Sequence, residues 1–479
     1  YNFLLKNTVI DEPYENMPAA EVGLKKGDVI LAIGDSSMVG KDVAYVSNHL
    51  RGDAGTTFIL TIQRPSVNKK MKFKITRRSI QLPAVPYYGV QDGGVGYLNL
   101  NSFTTGCAKD VRRAFLDMKK QGMTSLVFDL RNNGGGSLQE AVNIVNMFVP
   151  KGITLVKTVG KMERANKEYK TTVEPIDTVM PIVVLVNDET ASASEITSGS
   201  LQDLDRAVVL GTRTYGKGLV QVSMDLPYNG NLKLTSSKYY IPSGRCIQAI
   251  NYKHANGGYT EHVPDSLTHV FHTANGREVR DGGGIKPDVE VRPDSLPNIA
   301  FYLASSGRDS TEVMWNWELQ YLKKHPTIGP AKTFVISDAD FEDFKQAVLK
   351  SGFKYDRESK KYLENLVKLA KFEGYYDDAK GEFDALEKKL NHNLAKDLDY
   401  NKQTLKKVLT SDLVSAYYYQ KGSLENSLQF DKQWKKAVEI LKNPAEYKKL
   451  LQPVVGQPLV KLEPASNVAV DKKQKSKAK

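Results

Sequence analysis

The chain has 479 residues, 41% hydrophobic and 25% charged, which is too long for one core and ordinary in composition for a soluble globular protein of about three domains. No run approaches the roughly 20 apolar residues that span a bilayer, and two distant cysteines and seven histidines without ligand spacing exclude a disulfide scaffold and imply no metal or other cofactor. Of the formal charge of +12, four net charges belong to the tail 471–479; elsewhere Lys alternates with Glu and Asp on helical faces, so no nucleic-acid partner is expected.

The first segment, 1–80, alternates short strands with glycine turns. Pro18 opens a single helical turn that stops at Gly23, Lys25-Lys26-Gly27-Asp28 makes a tight turn, and the strand Val29–Ile33 follows. A helix from Val43 to Leu50 ends before Gly52 and leads to the strand Phe58–Ile62. The run Ala19 to Ile30 resembles the most recognisable stretch of a PDZ domain. The resemblance implies a groove that takes extended C-terminal peptides by strand addition, between Asn2–Val9 and the helix bearing Val43 and Leu50 as substrate-binding residues. That family's glycine-containing carboxylate loop would precede Asn2, so the module reads as a partial, β-rich PDZ domain.

Pro83 and Pro86 mark a linker, and the second segment, 81–296, reads as α/β. Strands Val95–Leu100, Ser125–Asp129 and Ile182–Val186 precede helices Cys107–Lys120, Leu138–Phe148 and Ser194–Leu204 in turn. Such alternation predicts a largely parallel sheet with its site at the carboxyl ends of the strands. Both cysteines, Cys107 and Cys246, read as small apolar residues.

From 297 to 465 the pattern becomes all-helical. Glu358–Lys371, Asp377–Asn393, Lys402–Gln420 and Lys432–Lys442 carry apolar residues at helical spacing, and Leu413 and Tyr417-Tyr418-Tyr419 are expected in the core. The basic tail, 466–479, reads as disordered, with peripheral contact to an anionic membrane as its one functional option. The first residues, Tyr1 to Lys6, show no signal-peptide pattern. The oligomeric state is left open.

Chemistry concentrates in three stretches. The apolar strand ending at Val186 is followed by Asn187 to Ile196, which puts Ser192 at a helix mouth where free N–H groups point outward. Ser192 or Ser194 there fits a helix cap as well as a nucleophile. Lys217, flanked by Gly216 and Gly218, can act as a base if it is kept neutral, and Gln221 can hold its amine. Asp129-Leu130-Arg131-Asn132-Asn133-Gly134-Gly135-Gly136 is a glycine turn suited to an oxyanion and matches no nucleotide-binding loop.

These three stretches, in this order, resemble the carboxyl-terminal processing peptidases, or tail-specific proteases. Leu232 to Arg245 and Asp281 to Asp288 fit as well, so the likeness runs over about residues 1–295. It implies Ser192 as nucleophile, Lys217 as general base and Gln221 as its positioning residue, the first two 25 positions apart and the last two 4 positions apart. It further implies the backbone N–H groups of Ala193 and Gly135 as oxyanion donors, with Ser194, Glu195 and Asp203 as supporting residues. The expected whole is a multidomain α/β protein: a partial PDZ module, a crotonase-like α/β protease core and an all-helical C-terminal domain. The implied activity is a periplasmic or envelope serine endopeptidase acting on unfolded or C-terminally exposed proteins. A catalytically silent, PDZ-bearing peptide scaffold is the competing reading; acyl-CoA chemistry has no carboxylate pair or cofactor signature in its favour.

Overall fold

Fully apolar five-residue runs such as Ile182–Val186 need cover on both faces, and they occupy the middle of the main sheet, with every residue buried. The computed structural model describes residues 6–249, 265–305, 311–390 and 393–453. Contacts divide the chain into two units: residues 1–82 with 294–430, and residues 83–293 with 431–479.

In the second unit a six-stranded sheet runs in the order 289–290, 208–211, 182–186, 125–129, 95–99, 88–91. All neighbours are parallel except the outermost pair, 88–91 and 95–99. The parallel strands therefore send their carboxyl ends, and the loops after them, to one edge. Helices Cys107–Lys120, Leu138–Val145 and Ala193–Asp203 bury Phe115, Val145 and Ile196 in the sheet's core. A second, antiparallel sheet has the order 219–226, 230–240, 154–160, 167–170.

The first unit contains a four-stranded antiparallel sheet in the order 36–37, 29–33, 57–64, 69–76. Leu24, Ile30, Val46, Leu60 and Ile62 form its small core. Of the strand expected at Asn2–Val9, residues 2–5 lie outside the described residues, and Val9 makes an antiparallel bridge with Val29. Among the described residues the same unit holds seven helices between Asn298 and Ser427. Leu413 is fully buried there, as its spacing predicts, while the Tyr417 and Tyr418 hydroxyls bond the carbonyls of His325, Ile328 and Gly329.

Contacts group two of the C-terminal helices with the second unit. The sequence groups all helices from 297 to 465, yet Lys432–Lys442 and Pro444–Leu450 pack in the second unit. Arg131 is the physical reason: it holds Asp129 (Nε to Oδ1, 2.9 Å) and reaches Asp431 (2.7 Å) and Gln433 (2.7 Å) with its remaining donors. Trp434 packs edge-on to Tyr97, whose hydroxyl bonds Asp129, and the Tyr447 hydroxyl lies 3.0 Å from the Ile182 amide. Among the described residues no helix is long and apolar enough to cross a membrane.

Candidate active site

Three loops gather at the carboxyl ends of neighbouring parallel strands, after Asp129, Val186 and Gly211. Each brings one of the stretches picked out in the sequence. Their approach is close enough to make one glycine obligatory: a Cβ on Gly135 would lie 2.6 Å from the Ala191 carbonyl and 2.8 Å from the Ser192 Cβ. Gly135 also has φ +97°, a left-handed conformation that side chains resist. Gly134, by contrast, has open space around it.

Ser192 precedes the helix Ala193–Asp203 and takes φ 56°, ψ −114°. A serine in such a conformation costs of order 1–3 kcal/mol, and it persists because its neighbours over-determine it. Thr190 bonds the Leu130 carbonyl through Oγ1 (2.9 Å), and the Ala191 amide bonds the Asn133 carbonyl (3.0 Å). The Ala193 N–H is the first of the helix, so it has no intrahelical acceptor. A hydrogen-bond acceptor placed beside Ser192 would meet it.

Ser194 is not the nucleophile candidate that Ser192 is. It is fully buried, and its Oγ donates to the Asn133 carbonyl at 2.8 Å, pinning the helix to the glycine turn. The Gly135 N–H, expected as an oxyanion donor, donates instead to Asn133 Oδ1 at 2.9 Å. Gly135 therefore sits where the expectation put it, with its donor already used.

Glu195 is the hub of the site. Its side chain is fully buried, and Oε2 accepts from the Ser192 amide (2.9 Å) and the Lys217 amide (2.9 Å). Oε1 accepts from Thr214 Oγ1 (2.5 Å) and the Gly216 amide (2.7 Å). Burial pushes this carboxyl up to about 7, against the pull of those four donors. The Ser192 loop and the lysine loop are thus fastened to one carboxylate. From the other side, the buried Tyr239 hydroxyl donates to the Lys217 carbonyl and lies 3.3 Å from the Ser192 carbonyl.

Lys217 is half-buried, and its amine makes no ion pair or hydrogen bond with any described residue. Gln221 lies on the strand Leu219–Leu226, just past a β-bulge, with an exposed side chain that bonds to no described residue. The bulge re-aims a side chain locally but does not join Gln221 to Lys217 here.

Asp203, at the far end of the Ser192 helix, pairs with Arg245 at 2.7 Å, both almost wholly buried, and also accepts from the Ser243 amide at 3.0 Å. Arg277 in turn bridges Asp205 (2.6 Å) and Asp288 (2.5 Å). These pairs hold the segments around Ser243–Arg245 and Arg277–Asp288 against the end of the helix.

In the first unit, Leu50 lines an apolar cavity of about 470 Å³ with Ser47, Phe58, Leu60 and Ile75, with Arg51 and Arg77 also in its lining. Val43, expected beside it, is 48% exposed and lies outside the lining: it shares Leu50's helix face but opens the helix two turns, about 10 Å, away along the axis.

Glu195 lies three residues after Ser192, the capping-box interval, so local spacing signals its bond to the Ser192 amide. Its bonds to Thr214, Gly216 and Lys217, and those of Tyr239, have no local signal.

Residues 94–254 match the family model described as Peptidase family S41, residues 9–64 a PDZ domain, and residues 302–441 the C-terminal helical domain of a probable PDZ-protease. A carboxy-terminal-processing protease of Bartonella bacilliformis is 38% identical over 242 residues, covering 50% of this chain and 55% of its own. A probable CtpA-like serine protease of Staphylococcus aureus is 31% identical over 366 residues, covering 75% of this chain and 61% of its own. The matches thus span about half to three fifths of the length of these curated relatives. The solved photosystem II D1 C-terminal processing protease aligns over 60% of this chain and 68% of its own, at 28% identity and a TM-score of 0.34.

Proposed function

We propose, from the premise that residues 94–254 belong to peptidase family S41, that this chain is a serine endopeptidase with Ser192 as nucleophile and Lys217 as general base. The observation that carries the reading is the Glu195 carboxylate, whose Oε2 accepts the amides of both Ser192 and Lys217 across 25 positions of sequence. A capping box accounts for the Ser192 bond by itself, but an exposed loop lysine has no reason to be tied to the same buried acid.

Lys217, acting as the base, takes the Ser192 hydroxyl proton as Oγ bonds to a peptide carbonyl carbon, and the carbonyl π pair moves onto oxygen. The Ala193 N–H stabilises that oxyanion, and the Gly135 N–H joins it by leaving Asn133 Oδ1 for the stronger, anionic acceptor. Collapse expels the amine, which takes the proton from Lys217. Water then repeats the sequence on the acyl ester, releasing the acid and restoring Ser192. Gln221 would turn toward the Lys217 amine when substrate covers the strand that carries it.

Substrate choice falls to the PDZ module: apolar C-terminal side chains fit the cavity lined by Leu50, where Arg51 and Arg77 offer cations for a carboxylate. In line with the family likeness we take the chain to act in the cell envelope, which fractionation of cells would check.

Ser192→Ala and Lys217→Ala are each expected to abolish cleavage of an unstructured substrate, read by mass spectrometry of the products, with circular dichroism unchanged. Ser194→Ala keeps substantial activity. Cleavage by the Ser192→Ala protein would overturn the assignment.

A further inference from the structure

The Lys217 amine has no partner among the described residues, so its place relative to Ser192 is set through its backbone. Two buried side chains do the setting. Glu195 Oε2 accepts both amides, at 2.9 Å each, and the Tyr239 hydroxyl faces both carbonyls. Tyr239 is itself held firmly: it is 2% exposed, its own amide bonds the Gly218 carbonyl at 3.0 Å, and its strand is paired on both sides. The Ser192 carbonyl has a second donor in the Ile196 amide (2.9 Å), so its place does not depend on Tyr239 alone. The Lys217 carbonyl has the hydroxyl as its side-chain donor.

We propose that Tyr239 is a positioning residue for the Ser192–Lys217 pair: its hydroxyl, opposite the Glu195 carboxylate, fixes the spacing of the two backbones and so the distance over which the serine proton is passed. This rests on the Ser-Lys reading above. Proton transfer needs the two heavy atoms within about 3 Å, and a misplacement of about 1 Å can cost about a hundredfold. Burial, with the Glu195 carboxylate nearby, holds the Tyr239 phenol well above its ordinary value, so it remains a donor throughout the working range. Losing the hydroxyl frees the lysine loop at its carbonyl end while leaving the ring in place.

The test uses a fluorophosphonate, from which the Ser192 oxygen displaces fluoride as Lys217 takes its proton, with the labelling rate followed against pH in the full chain. Tyr239→Phe is expected to label at least about tenfold more slowly, with KM for a peptide within about twofold of wild type. A wild-type rate in Tyr239→Phe overturns the proposal, as does a slower rate accompanied by a KM that rises well beyond twofold, which is what general loosening of the site produces. If Tyr239→Phe does not fold, Glu195→Gln reads the opposite half of the clamp: labelling at least about tenfold slower with KM within about twofold supports the proposal, and a wild-type rate overturns it. Labelling of the Ser192→Ala protein at the wild-type rate would instead remove the Ser-Lys reading beneath it.

Discussion

The amides of Ser192 and Lys217 share a single acceptor, Glu195 Oε2, at 2.9 Å each. The carboxyl that does this is fully buried and pushed up from 4.5 to about 7. A carboxyl with a raised folded value binds its proton more tightly in the native state, so its contribution is fully present below pH 4.5 and is lost as pH rises through about 7. We expect this one group to make wild type about 3 kcal/mol less stable at pH 8 than at pH 4.5, relative to Glu195→Gln. Urea unfolding of both proteins across that range checks it, and equal pH slopes count against it.

Neighbouring glycines should behave oppositely. Gly135→Ala forces a Cβ to 2.6 Å from the Ala191 carbonyl and 2.9 Å from the Ala193 nitrogen, so activity should fall at least about a hundredfold. Gly134→Ala meets open space and should change stability by less than about 0.5 kcal/mol. Parallel activity and thermal-melt measurements decide the pair; equal losses would show that the approach of the loops is not the constraint.

Arg245 and Asp203 form a pair 1% and 0% exposed at the side chain, and Arg245 also holds Gln202 Oε1 at 2.8 Å. Arg245→Met should cost about 3–5 kcal/mol, because it strands a buried carboxylate. The double variant Arg245→Met/Asp203→Leu should recover part of that loss. A single substitution as mild as a surface change would contradict the burial.

In the first unit, the Lys26 amine lies 3.1 Å from Glu318, which burial pushes up to about 8 while Lys26 pulls it down. Asp412, also raised by burial, and Asp11 face the same amine. Lys26→Met removes the only pull common to Glu318 and Asp412, so their folded values rise further and stability is lost increasingly as pH increases. The destabilisation, about 3 kcal/mol, should be larger at pH 8 than at pH 5. Calorimetry at the two pH values checks the direction; Glu318→Leu in the same chain should restore stability.

Much of this architecture was legible before any coordinates. The apolar runs 125–129 and 182–186 had to be central strands, since nothing but a doubly covered sheet can bury them. The helices Cys107–Lys120 and Lys432–Lys442 follow their apolar spacing. Elsewhere boundaries moved: the helix read over 377–393 spans Lys380–Lys389, and the one read to Gln420 continues to Ser427 across a break at Tyr419. Helix ends depend on caps and packing that apolar spacing does not encode.

The sequence alone determined which residue types were offered at the site: a serine at a helix mouth, a glycine-flanked lysine and a glycine turn, each a local pattern of the chain. Tertiary structure decided how they are held. It spent the Gly135 N–H on Asn133, left Gln221 apart from Lys217, and set Arg131 to fastening the helix that begins at Lys432. It also joined Ser192 to Lys217 through Glu195 and Tyr239, which stand 44 positions apart in the chain. These are contacts between distant segments, fixed by strand register and burial, and no local spacing carries them.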